Sequence, residues 1–190
     1  MSSRPKSYLT PQEYLAIERA SETKNEYFNG EVFAMVGASR KHNLIAGNIF
    51  GELRQQLKGK PCEAYTNDMR VRIPTTGLYT YPDVVVVCGE PQFEDEYIDT
   101  LLNPTLIVEV LSESTESYDR GRKAGFYRTV ESIAEYLLVS QDEYRVEQYV
   151  KQPDGRWLLT DICSLEIAVE LSSIRCTLPM KEVYGRVSFS

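Results

Sequence analysis

Two stretches of this chain, TYPDVVVV (80–87) and TLIVEVL (105–111), are apolar at almost every position, and AEYLLVS (134–140) is nearly so. Short, dense runs of this kind predict strands buried on both faces. Elsewhere the apolar residues recur at helical spacing. His42, Ile45, Ala46, Ile49, Leu53 and Leu57 form one stripe over 39–58, and Gly59 and Pro61 end it. Thr10-Pro11-Gln12-Glu13 reads as a capping box opening an earlier helix. Asp119, Lys123, Tyr127 and Val130 share a face of a third helix, about 116–130.

Turn signals divide the rest. Asn29-Gly30 within NEYFNGEVFAM predicts a hairpin. Pro153-Asp154-Gly155 predicts another between EYRVEQYV and RWLLTDI. CEAYTNDMRVRIP reads as two strand pieces, residues 88–103 as an acidic loop, and the tail AVELSSIRCTLPMKEVYGRV as a strand or two with a short last helix. Strand runs interrupted by two main helices predict an α+β or α/β fold: one mixed sheet flanked by helices, in a single domain over 1–190.

Composition narrows the class. With 190 residues, 42% hydrophobic and 26% charged, the chain can bury a sizeable core. No apolar run approaches the roughly 20 residues of a membrane span. The N-terminal MSSRPKSYLTPQEYL lacks the apolar stretch of a secretory signal. The cysteines, Cys62, Cys88, Cys163 and Cys176, are far apart and His42 is the sole histidine, so a structural zinc site has little to work with. The cysteines read as reduced thiols of a cytoplasmic protein. A net charge of −7 argues against gripping nucleic acid by bulk electrostatics. It leaves room for a local basic groove or for an acidic metal site.

Candidate chemistry begins with two acids in apolar company. Glu109 lies inside LIVEVL, where an unpaired carboxylate would cost several kcal/mol or more. Asp83 stands at the mouth of the other apolar run. By two-residue periodicity Asp83 shares a face with Val85 and Val87, and Glu109 with Ile107 and Leu111. If those faces coincide, two acids point at one spot and repel unless a cation or a proton intervenes. Mg²⁺, an oxygen-seeking ion, suits such a place. Lys123, on the following helix, supplies positive charge. Asp, Glu, Lys and Mg²⁺ together suit phosphodiester hydrolysis.

YPDVVVVCGEP followed by NPTLIVEVLSESTESYDRGRKAGFYR resembles the Uma-type restriction endonucleases of the PD-(D/E)xK nuclease superfamily. The likeness extends to NEYFNGEVFAMVGASRKHNLIAGNIF upstream and to EYLLV and PDGRWLL downstream. It implies a restriction-endonuclease-like fold with a mixed central sheet and a Mg²⁺- or Mn²⁺-dependent endonuclease acting on DNA. It further implies Asp83 and Glu109 as metal ligands and, by analogy, a homodimer. The superfamily places its lysine two residues past the acid, where this chain has Leu111; the resemblance implies that Lys123 takes that part. Glu113 stands where the family usually has proline, in a loop that tolerates either. Glu31, His42 and Asp68 match the family's segments as further site residues, and Arg70 could line the same cleft.

Plainer uses stand beside these. Asp83 and Glu109 could belong to a structural ion network with Lys123 or Arg122. Lys123 could be a solvated helix lysine paired with Asp119 one turn earlier. His42 could be a satisfied residue near a helix start, and Glu31 an exposed strand carboxylate. The basic run around residue 120 could be a solvated face. The alternative function is a nuclease-fold protein that binds nucleic acid or a protein partner without cutting. A hydrolase of small phosphoesters is a third.

Overall fold

The computed structural model describes residues 8–112 and 115–189. Glu113 and residues 1–7 lie outside them. In chain order the strands are β1 (Asn25–Phe28), β2 (Glu31–Ala34), β3 (Cys62–Thr66), β4 (Arg70–Ile73), β5 (Leu78–Thr80), β6 (Val84–Cys88) and β7 (Thr100–Leu101). Then come β8 (Leu106–Leu111), β9 (Glu135–Ser140), β10 (Val146–Lys151), β11 (Trp157–Ile162), β12 (Ala168–Leu171) and β13 (Cys176–Pro179). The helices are α1 (Pro11–Ala20), α2 (Arg40–Gln56), α3 (Glu116–Tyr118), α4 (Ala124–Tyr127) and α5 (Met180–Val183). A π-helical turn, Asp119–Lys123, joins α3 to α4.

The fold is mixed α and β, as expected, but among the described residues the strands form three sheets rather than one. The central sheet runs β11-β10-β9-β8-β6-β3, with β8 and β9 parallel and the other pairs antiparallel. A second sheet runs β2-β1-β5-β4-β7, and β12 pairs with β13. The stretch TYPDVVVV is divided between the sheets: Thr80 ends β5, and β6 begins only after Pro82 and Asp83. Proline has no amide for a ladder, which is why the chain changes sheets there. The acidic 88–103 segment also contains a strand, β7, too short to show in the hydrophobic pattern.

Local chemistry accounts for the element ends. Thr10 and Glu13 complete the capping box of α1, and Ser39 caps α2 by accepting from the His42 amide. Asn29 and Gly30 both take positive φ, 49° and 84°, as a two-residue hairpin turn requires. The stripe on α2 buries Ile45, Ile49 and Leu53 against Val84, Val86, Val108 and Val110. Each such side chain contributes roughly 2 kcal/mol. The opposite face of the central sheet carries Val85, Val87, Ile107 and Leu111, packed with Tyr127 and Val130 and with Val71, Ile73 and Leu78 of the second sheet. Strands β6 and β8 are therefore covered on both sides, and polar groups on them meet other protein groups.

One expectation is overturned. Cys62 and Cys88 face each other across the β3–β6 ladder and form a disulfide; Cys163 and Cys176 are free. Antiparallel pairing brought the two thiols together, and nothing in their sequence spacing announced it. The bridge closes a loop with a sequence separation of 26 residues. Replacing both cysteines with serine should cost about 3 kcal/mol through the unfolded chain's regained freedom. Urea midpoints with and without reductant measure this.

The 92–103 region is tied to α1 by charge. Arg19 reaches Asp99 and Asp95, each at 2.8 Å. Arg70 Nη2 lies 2.9 Å from Asp99, out of line for a hydrogen bond, while its other nitrogens donate to Thr100 and Tyr81. Arg19 above all holds the Asp99 carboxyl far below its ordinary range, against a smaller opposing effect of burial. A depressed acid stabilises above its unfolded value, about 4, and loses that contribution as pH falls. Asp99→Asn should therefore destabilise at neutral pH, by under about 1 kcal/mol because the group is partly exposed, and the gap should narrow steadily below about pH 4. Urea midpoints at neutral and acid pH test the sign.

Candidate active site

The site forms where β6 begins and β8 ends. Their register pairs Val84 with Val108, which sets Asp83 opposite Glu109. Val85 and Val87 share one core with Ile107 and Leu111, and Asp83, just before β6, reaches the backbone of β8 next to Glu109. Asp83 Oδ2 accepts the Val110 amide at 2.7 Å and lies 3.3 Å from His42 Nε2. The cap at Ser39 sets the start of α2 and hence the reach of His42 over the sheet end. Burial disfavours the His42 imidazolium, but Asp83 and the Val110 backbone outweigh it and raise its pKa.

Glu109 is 5% exposed. Its Oε1 accepts from the Tyr127 hydroxyl and lies 2.9 Å from Lys123 Nζ. Lys123 is equally buried and has two further acids, Glu26 of β1 at 3.0 Å and Asp119 at 3.6 Å. Thr80 donates to the same Glu26 oxygen. The π-helical turn carries Asp119 and Lys123 inward together, a local widening that helices use at functional sites. Three carboxylates thus surround one ammonium. Burial pushes the Glu109 carboxyl up to about 8, opposed by Lys123 and reinforced by Asp119 and Asp83. Burial also raises Asp119. Lys123 goes the other way: burial alone would lower it, but Glu109, Tyr127, Glu26 and Asp119 hold it well above an ordinary lysine. The cluster has an ammonium fixed as a cation and more acid than that cation can neutralise.

The expected residues separate cleanly. Asp83, Glu109, Lys123 and His42 converge. Glu31 opens β2 opposite Phe28, and the acid this hairpin sends to Lys123 is Glu26. Asp68 is exposed on the turn after β3, in an ion pair with Lys24 at 2.9 Å. Arg70 belongs to the Asp99 network. Glu26 and Tyr127 were not singled out as site residues. The signal for Glu26 was the alternation in β1, which puts it on the face opposite the buried Tyr27; Tyr127 lay on the Lys123 helix face.

Asp83 and Glu109 offer hard oxygen donors in an acid-rich setting, the chemistry a Mg²⁺ or Mn²⁺ ion takes. Among the described residues no group of three His, Cys, Asp or Glu side chains is gathered for a metal.

The fold is restriction-endonuclease-like, a mixed central sheet flanked by helices. A crystal structure described as "a putative nuclease belonging to DUF820" from Anabaena variabilis ATCC 29413 matches with a TM-score of 0.74, covering 95% of this chain and 99% of that one at 17% identity, a likeness of fold. The Uma2 family model, described as "Putative restriction endonuclease", matches residues 11–179, and the chain belongs to that family. Two uncharacterized proteins of Synechocystis sp. (strain ATCC 27184 / PCC 6803 / Kazusa) are similar over most of their length. The protein sll1609 is 40% identical over 88% of this chain and 94% of its own, and slr1290 is 36% identical over 98% and 97%. Among the described residues no helix is long and apolar enough to cross a membrane.

Proposed function

We propose that this protein is a metal-dependent endonuclease that hydrolyses phosphodiester bonds of DNA. The observation that carries the reading is the 2.9 Å approach of Lys123 Nζ to Glu109, made from a different element than the one that bears the acid. It restores at a distance what Leu111 removes from the strand.

Asp83 and Glu109 would hold the ion. When bound, a Mg²⁺ or Mn²⁺ ion polarises a phosphate oxygen and acidifies a water. The remaining work falls to the protein. Lys123, a cation held in place by Glu26 and Asp119, orients the attacking water and stabilises negative charge developing on the phosphate. Tyr127 fixes the Glu109 carboxylate through Oε1. The Val110 amide and His42 fix Asp83. A homodimer suits cleavage of both strands.

The competing reading is a nuclease fold that binds nucleic acid or protein without cutting. One feature favours it: Lys123 is already engaged by three carboxylates. Plasmid and single-stranded DNA incubated with the purified protein and Mg²⁺ or Mn²⁺, beside a chelator control and Asp83→Asn, separate the two. Nicking that needs metal and Asp83 supports the enzyme. Salt-sensitive binding without nicking supports the alternative.

A further inference from the structure

We propose that Arg122 is a phosphate-binding residue that grips a nucleic-acid strand at the rim of the Asp83–Glu109 centre, an assignment that rests on the nuclease reading above.

The placement follows from two elements that each serve the site and its rim at once. On β1, Glu26 and Phe28 are two residues apart and share a face. Glu26 meets Lys123, and Phe28 stacks on Phe126, ring centroids 5.1 Å apart with planes at 24°. In the π-helical turn, Lys123 points inward, and its neighbour Arg122, which cannot share that direction, lies exposed at the rim. Its guanidinium sits 4.7 Å from the Phe28 ring centroid and 5.6 Å from that of Phe126.

Arg122 has no carboxylate partner among the described residues. Its companion Arg120 is taken up by Glu116 and Glu147. An arginine lying on aromatic faces keeps its edge N–H groups free, and those match a phosphate's geometry. The stack also orders the side chain before any ligand arrives, which lowers the cost of binding. With a net charge of −7 the molecule gains little from long-range attraction. Grip on a polyanion must then come from single cations set close to the chemistry. Arg122 is one residue from the lysine of the site.

The test measures binding of a short fluorescein-labelled single-stranded oligonucleotide, and of the matching duplex, by anisotropy across a salt series. Asp83→Asn serves as the background to prevent cleavage, and each variant's fold is checked by circular dichroism. Arg122→Ala should lower the slope of log affinity against log salt by about 0.7 for the single strand and about 0.9 for the duplex. It should weaken single-strand binding about fivefold at 0.1 M salt. Arg122→Lys should keep the slope but bind more weakly, because an ammonium cannot fork. Phe28→Leu should likewise keep the slope and lose affinity. Lys181→Ala, remote and paired with Glu166, should change neither. If the parent nicks plasmid while Arg122→Ala binds with unchanged slope and affinity, the Arg122 assignment is wrong and the nuclease reading stands. If the parent neither nicks nor binds, the nuclease reading fails and the assignment falls with it.

Discussion

Asp83→Asn should reduce metal-dependent nicking by roughly three orders of magnitude while leaving the fold intact. Asparagine keeps the size of the side chain and an oxygen that can accept the Val110 amide. It removes the negative charge that faces His42 and that, on the proposed reading, holds the ion. Losing one preorganised charge in a water-poor site typically costs about 10²–10³ in rate. The structural effect has the opposite sign, since Asp83 repels Glu109 and Asp119. The melting temperature should hold or rise slightly. Single-turnover nicking rates, with thermal melts on the same preparations, check both halves. Nicking at the parental rate would locate the activity elsewhere.

Lys123→Met should be the most destabilising single change at the site. The ammonium is buried with Glu109, Glu26 and Asp119 around it. Removing one partner of a buried ion cluster costs about 3–5 kcal/mol, because the charges left behind have no water to turn to. For a chain of this size that corresponds to a melting temperature lower by about 10 °C. Without the lysine, the folded acids bind protons more readily than their unfolded counterparts. Acids with raised folded values give stability that grows as pH falls, so the variant's deficit should shrink on acidification. Adding Glu109→Gln should recover much of the loss at neutral pH. Thermal melts of parent, single and double variants across pH decide this; a Lys123→Met protein as stable as its parent would mean the cluster carries little structural weight.

The central strands were legible because their signal is local. VVVVC and LIVEVL are apolar on both faces, and Glu109 inside one and Asp83 at the mouth of the other stood out against that background. The inward face of the third helix was legible too, through Asp119, Lys123 and Tyr127, although the π-helical turn within it was not. What stayed hidden depended on pairing between distant segments. Cys62 meets Cys88 only because β3 lies against β6, and Glu26 reaches Lys123 only through the docking of the hairpin onto that helix. Strand β7, with two residues, is too short for periodicity to register. The division of strands among three sheets turns on Pro82 and Asp83, where the pattern shows a change of residue type but no change of direction.

The lysine's position has a consequence for when the chain becomes competent. Had it stood two residues past Glu109, both groups would have come into being with a single strand. Here Asp83 and Glu109 belong to the sheet, Lys123 to the segment that packs across it, and Glu26 to a hairpin of the other sheet. A partly folded chain with a formed sheet therefore carries only half a centre. Local opening of the helical segment, which can occur well below the global unfolding free energy, separates the halves again. On the proposed reading, cutting ability requires the helical segment and the hairpin to be docked together on the sheet.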